Sequence, residues 1–166
     1  MGYDTDFTGK IQIEPPLNPS EISYLRRFSD SRRMHRDTGP YYLGNRRPEE
    51  NDTGVVDPNS PPPEQPGLWC DWVPTPDGTA IEWNRMEKFY YATEWMEYLI
   101  NAFLSEGADV QAELKAPIVG RFYPPEFAEF TFDHVLSGTV EAQGDDPDDR
   151  WDLVVSDNEV QRVEKG

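Results

Sequence analysis

The residues in this chain that could do chemistry are few and far apart. Cys70 is its only cysteine, and His35 and His134 are its only histidines. A nucleophilic cysteine needs a base held beside it and surroundings that favour the thiolate. Cys70 stands between Trp69 and Asp71 in a strand-like run, where rings and a carboxylate raise a thiol pKa, so it reads as a buried structural residue. His35 lies between Arg33 and Arg36 at a helix end, where an imidazole interacts with the terminal carbonyls. His134, beside Asp133 in a strand, reads as structural. Paired carboxylates are a further catalytic option, and Glu94 with Glu97 near Tyr91 and Trp95, or Glu82 beside Trp83, qualify by type. Charges spaced in that way are usually the wet face of an amphipathic helix. No Gly-rich phosphate loop, paired-cysteine zinc pattern, His-Glu-x-x-His helix or Gly-x-Ser-x-Gly elbow occurs. The sequence points away from catalysis and assigns no catalytic residue, no cofactor and no metal.

The charged residues suit binding better. The formal net charge is −17, which favours solubility and opposes non-specific contact with nucleic acid or anionic membrane. Seven of the fifteen basic residues lie between Arg26 and Arg47, whereas from Glu126 onward twelve acidic residues face only Arg150, Arg162 and Lys165. Arg32, Arg33 and Arg36, followed by Tyr41 and Tyr42, combine guanidinium groups and rings as phosphate- and single-strand-binding surfaces do. The net charge repels any polyanion that comes within a Debye length of about 8 Å. The alternative is intramolecular, with these arginines clamping acidic hairpins of the same domain. Asp145, Asp146, Asp148 and Asp149 carry the oxygens that hard cations take. Pro147 splits them into two adjacent pairs, however, and the alternate acids, sixth-position glycine and distal glutamate of a calcium loop are missing. A solvated turn or an interaction epitope is the reading, with Arg150 offsetting part of the local repulsion.

The elements that must hold these residues follow from periodicity and punctuation. Phe7, Gly9, Ile11 and Ile13 alternate with polar residues and predict a strand from Thr5 to Glu14, ended by Pro15-Pro16. Asn18, Pro19 and Glu21 form a helix start with a capping box, Leu17 stapling against Ile22, and the helix is expected to run to about Met34. A Pro-rich loop spans about 37–67, with Tyr41, Tyr42 and Leu43 as a local anchor and Glu49 to Gln65 expected to be mobile. Leu68 to Val73 and Thr79 to Trp83 predict a hairpin around Pro74-Thr75-Pro76-Asp77-Gly78. A second helix is expected from the Asn84 cap to Gly107, with Phe89, Ala92, Thr93, Met96, Leu99, Ile100 and Phe103 as its stripe. An irregular insertion follows at about 105–131. Phe132 to Ala142, Trp151 to Ser156 and Glu159 to Val163 predict the closing strands, with Asp157-Asn158 as a two-residue turn.

The order β-α-β-β-α-β with an added hairpin predicts one α+β domain over residues 1–166. Two helices would pack on one face of a mostly antiparallel sheet, in a split β-α-β, ferredoxin-like arrangement with an extra C-terminal hairpin. Only 36 % of the residues are hydrophobic but 13 % are aromatic, so large rings must supply much of the burial. No apolar run approaches the roughly 20 residues that cross a bilayer, the first residues lack a secretory pattern, and a lone cysteine fits a reducing compartment. A cytoplasmic protein is expected.

Three stretches, Gly2-Tyr3-Asp4-Thr5-Asp6-Phe7, Gly67 to Pro74 with Asp77 to Trp83, and Glu141 to Trp151, resemble a family of small acidic proteins of actinobacteria and their phages. The resemblance covers about half of the chain and implies a fold and a sequence pattern, with no activity, cofactor or catalytic residue. The expected function is therefore macromolecular binding. The partner would be another protein or a ribonucleoprotein, engaged through the acidic C-terminal face and exposed aromatics, with Tyr41, Tyr42, Trp72 and Trp83 as candidates. The alternatives are a small-ligand or enzyme pocket between the second helix and the sheet, lined by Trp72, Trp83, Tyr90 and Arg33, and a phosphate or RNA surface built from the Arg26 to Arg47 cluster.

Overall fold

The computed structural model describes residues 2–44 and 54–165. Arg46, Arg47 and residues 49–53, the start of the segment expected to be mobile, lie outside the described residues. The alternating first segment is strand β1 (Thr5–Glu14), followed by helix α1 (Pro19–Ser29). Two short strands, β2 (His35–Arg36) and β3 (Val55–Asp57), pair with each other within the Pro-rich region. The hairpin β4 (Trp72–Pro74) and β5 (Ala80–Trp83) precedes helix α2 (Ala92–Leu99), which continues as a π-helical turn over Ile100–Leu104. Helix α3 (Asp109–Lys115) and a 3₁₀ turn (Pro125–Glu129) lead to the meander β6 (Val135–Gly144), β7 (Arg150–Ser156) and β8 (Glu159–Glu164).

The main sheet has the order β4-β5-β1-β6-β7-β8, and every neighbouring pair is antiparallel. Period-two alternation gives it one dry face. Phe7, Ile11, Ile13, Leu136, Val140, Ala142, Trp151, Leu153 and Val155 are buried, whereas Thr8, Lys10, Gln12, Glu141 and Gln143 on the other face are exposed. Tyr24, Leu25 and Phe28 of α1, Trp95, Met96 and Leu99 of α2, and Phe103 of the π-helical turn complete the same core. The chain is thus an α+β protein with helices against a mostly antiparallel sheet. Gly9 (φ +113°) and Gly138 (φ +143°) lie within the long β1–β6 ladder. A Cβ on Gly9 would meet the Thr139 carbonyl oxygen at 2.8 Å, and one on Gly138 the Lys10 carbonyl oxygen at 2.9 Å. Only glycine permits that close approach, and such positions bend a ladder sharply.

Rings meet mostly edge to face, as their quadrupoles favour. Tyr24 packs on Phe127 at 4.9 Å and Phe103 at 5.5 Å between centroids. Phe7 sits among Trp72, Trp83, Phe89 and Trp151. The expected capping box forms: Asn18 Oδ1 accepts from the Glu21 N–H at 2.9 Å, and Glu21 Oε1 accepts from the Asn18 N–H at 2.9 Å. Glu21 is fully buried and does more than cap. Its Oε2 lies 2.8 Å from His134 Nε2, while His134 Nδ1 lies 2.6 Å from the Pro15 carbonyl oxygen. A carbonyl can only accept, so Nδ1 carries a proton. With a carboxylate opposite Nε2, the ring fits an imidazolium donating on both sides.

Several expected boundaries are corrected. Helix α1 ends at Ser29 rather than near Met34: the Asp30 N–H makes the last helical bond to the Arg26 carbonyl, the Ser31 N–H tightens onto the Phe28 carbonyl, and the chain then turns to bury Arg33. Helix α2 starts at Ala92, well after Asn84. The Asn84 side chain instead accepts from the Met86 N–H and donates to Asp71, and Arg85, Lys88 and Tyr91 all take positive φ. The first strand of the hairpin begins at Trp72 rather than Leu68, β6 begins at Val135 rather than Phe132, and the insertion contains α3 and the 3₁₀ turn. No helix among the described residues is long and apolar enough to cross a membrane.

Burial alone would lower the pKa of His134, but its hydrogen bonds to Glu21 and the Pro15 carbonyl, with the Glu21 charge, outweigh burial and raise it above the ordinary 6.5. Protons then bind the folded state more tightly than the unfolded one. The stabilisation is complete below pH 6.5 and is lost as pH rises through the elevated folded value. Urea denaturation of the wild type should show stability falling over that range, and His134→Asn should flatten the fall. Glu21→Ala, which strands the imidazolium, should cost about 3 kcal/mol at pH 6.

Candidate functional site

At the end of the sheet near the β6–β7 turn, a cleft of about 390 Å³ opens between the N-terminal segment, the chain entering α2, and strands β7 and β8. Tyr3, Tyr90, Tyr91, Asp149, Trp151 and Arg162 are among the residues of its wall. Tyr3, Tyr90 and Tyr91 are 41 %, 48 % and 56 % exposed, whereas Trp151 is 4 % exposed and forms the floor. Each is placed by a local feature. Tyr91 holds left-handed backbone (φ 63°, ψ 37°) at the N-cap of α2 and offers no side-chain cap. A bulky residue there is strained, and its ring lies against Gly67, where a Cβ would be 3.1 Å from Tyr91 Cδ2. Gly2 passes against the Tyr90 hydroxyl where any side chain would collide. Trp151 sits opposite the small Ala142, which leaves room for the indole.

The acidic turn is one rim. Tyr3 Oη donates to Asp149 Oδ2 at 2.5 Å and accepts from the Asp146 N–H at 3.3 Å, and the Asp4 N–H donates to Asp145 Oδ2 at 2.9 Å. The hydrogen bond to Asp149 is the largest influence on the Tyr3 phenol and raises its pKa. The turn closes through Asp149 N–H to the Asp146 carbonyl and Gly144 N–H to the Asp149 carbonyl. Asp145, Asp146 and Asp148 remain exposed. Across the cleft, the Arg162 guanidinium lies 4.1 Å above the Trp151 ring, its Nε donating to Glu164 at 2.6 Å and its Nη2 3.9 Å from Asp149. No group of three or more His, Cys, Asp or Glu side chains among the described residues is placed to hold a metal ion.

Of the arginines expected to form a surface, Arg26 and Arg27 are exposed, but Arg32, Arg33 and Arg36 do not face solvent together. Arg33 is 1 % exposed and Arg36 3 %. Arg33 donates to Gln65 Oε1 and to the carbonyls of Pro40 and Tyr42, and stacks 4.4 Å from the Phe28 centroid. Burial lowers its pKa, and its Nη1 has no hydrogen-bond partner. Arg36 lies over Tyr42, and half-buried Arg32 donates to the Pro58 carbonyl. Arg32 and Arg33 therefore hold loop carbonyls rather than the acidic hairpins they were expected to clamp. The expected exposed aromatics are also corrected. Tyr41, at 3 % exposure, donates to Glu113, and Trp72, at 1 %, donates to the Ala92 carbonyl. Tyr42 is half-buried against Phe122. Half-buried Trp83 donates to the Met86 carbonyl and lines a separate groove with Lys10, Arg26 and Glu82. Of the four residues expected in a pocket beside the second helix, only Tyr90 lines the cleft found there.

Cys70 is fully buried, and burial pushes its thiol pKa up. Asp71 is pushed up to about 6 by burial, against the hydrogen bond from Asn84. Tyr3, Tyr91, Trp151 and Arg162 were not singled out as site residues from sequence. The signal for two of them was available: the two-residue turn at Asp157-Asn158 sets Leu153 opposite Arg162, which puts Arg162 diagonal to Trp151 on the same face. Comparison with known proteins gave no match to any family model, curated protein or solved structure.

Two variants check this geometry. A Cβ at Gly144 would collide with both Tyr3 Oη and Asp149 Oδ2, so Gly144→Ala should release the N-terminal segment, seen as faster amide exchange at Asp4 with the β1–β6 ladder still protected. Ionised Asp71 is disfavoured in the fold, so the stability it contributes when protonated is lost as pH rises from 3.8 through about 6. Asp71→Asn should therefore raise stability by on the order of 2 kcal/mol at pH 7.5 and leave it nearly unchanged at pH 4 in denaturant titrations.

Proposed function

We propose that this protein is a non-enzymatic binding protein of the cytoplasm that takes a basic segment of another protein across the Tyr3–Tyr90–Tyr91 cleft and the adjoining aspartate turn. The observation that carries this reading is that three exposed tyrosines share one cleft with Asp149 and Glu94, beside the exposed Asp145, Asp146 and Asp148. Tyrosine offers large contact area with little side-chain entropy to lose and is enriched at interfaces. The carboxylates and the net charge of −17 draw in a cationic partner and repel nucleic acid. A polyanion surface on the arginines is disfavoured by the burial of Arg33 and Arg36. We also read the order β4-β5-β1-β6 as a split β-α-β arrangement extended by the β7–β8 hairpin, which sets the acidic turn beside the N-terminal segment.

The test is an NMR titration of isotopically labelled protein with an arginine- and lysine-rich peptide at physiological salt. Shifts should concentrate at 3–5, 90–94 and 144–151, and Tyr90→Ala with Tyr91→Ala, which leaves the charge intact, should weaken binding at least about fivefold. Shifts spread evenly over the acidic surface, or an unaffected double variant, would show adhesion by net charge alone and end this reading.

A further inference from the structure

We infer that the floor of the cleft is a guanidinium subsite, and that Arg162 is its internal, displaceable occupant. The inference rests on the binding role proposed above and names the group that role would recognise: an arginine side chain of the partner. Trp151 lines the cleft with a guanidinium over its ring, and indole has the most favourable ring face for a cation. That guanidinium is 4.1 Å from the ring centre, inside the roughly 6 Å range of a cation–π contact.

The occupant is half-exposed and is tied to a residue of its own strand rather than to the cleft rim. Arg162 comes from the last strand, its side chain is 45 % exposed, and its closest carboxylate on the cleft rim, Asp149, is 3.9 Å away, beyond hydrogen-bond length. Among the described residues its short side-chain bond is to Glu164, two positions along the same strand, at 2.6 Å. Asp149 already accepts from Tyr3 through Oδ2, which leaves Oδ1 to receive an incoming donor. Glu94, in the first turn of α2, adds a second carboxylate to the wall. The start of a helix by itself favours an anion, but the carboxylates of Glu94 and Asp149 outnumber the single cation Arg162 in the lining. Tyr91 and Tyr90 stand on the open side of the cleft, where they can flank the stem of an inserted arginine.

The experiment uses the full chain and N-ethylguanidinium as probe, read by the Trp151 indole N–H signal in NMR and by tryptophan fluorescence. The wild type should bind weakly. Arg162→Ala, which vacates the ring, should bind about three- to fivefold more tightly, and Asp149→Asn in that background should reverse most of the gain. Arg162→Lys, which keeps a cation near the ring, should stay close to wild type. Equal binding by wild type and Arg162→Ala with an unmoved Trp151 signal would overturn the subsite, as would a Trp151 response to inorganic phosphate in place of the guanidinium. The two proposals fail separately. If the basic peptide maps to the cleft but N-ethylguanidinium never perturbs Trp151, the subsite is wrong and the binding role stands. If the probe binds at Trp151 but the peptide does not localise there, the binding role is wrong and the subsite stands.

Discussion

The fold depends on one buried ion pair. Glu21 and His134 meet with 0 % and 1 % of their surfaces exposed, and around them four separate stretches are fixed. Pro15 at the end of β1 receives the imidazole N–H, Asn18 starts α1 on the same carboxylate, Thr131 donates its backbone N–H to it, and His134 itself leads into β6. The pair thereby joins the exit of one long strand to the entrance of its neighbour, the two strands that share the ten-residue ladder. Burying a carboxylate and an imidazolium is costly unless each remaining lone pair and proton is satisfied. Here the helix cap and the loop backbone supply those partners, so the same contacts set register as well as stability.

On that frame a chain with few aliphatic residues builds its core from rings. Edge-to-face contacts run from Phe7 through Trp72 and Phe89 on one side, and from Tyr24 through Phe103, Phe127 and Phe130 on the other. The π-helical turn at Ile100–Leu104 carries Phe103 into the second group. Arg33 is drawn into this interior as well, its flat cation lying on Phe28 and its donors spent on Pro40, Tyr42 and Gln65. Two guanidiniums of the arginine-rich segment, those of Arg32 and Arg33, thus serve as cross-braces for the Pro-rich region.

The cleft reflects the opposite arrangement, in which carboxylates stay outside and rings line the opening. Its parts come from positions 3, 149, 151 and 162, which the antiparallel order β1-β6-β7-β8 brings to one end of the sheet, and from 90 and 91 in the chain entering α2. The backbone strain at Tyr91 fits a surface residue whose direction matters more than its local preference.

What the sequence determined by itself was what depends on near neighbours. Strand alternation at Thr5–Glu14, the Asn18–Pro19–Glu21 helix start, the turns at Asp77-Gly78 and Asp157-Asn158 and the α+β class are all written in residues a few positions apart, and each formed. The helix boundaries near Ser29 and Ala92 could not be read, because the pull that ended or delayed them came from elsewhere: the burial of Arg33 against loop carbonyls, and Asn84 engaging Asp71 rather than capping a helix. The same holds for the site. Composition showed that charge was segregated and that rings were abundant, but a ring's exposure depends on what packs above it. Tyr41 and Tyr91 look alike in sequence, yet one lies under Arg121 with its hydroxyl on Glu113 and the other stands open to solvent. Only the tertiary structure could decide between them, since burial is a property of contacts with residues far along the chain, here Phe103, Glu113, Arg121 and Phe127.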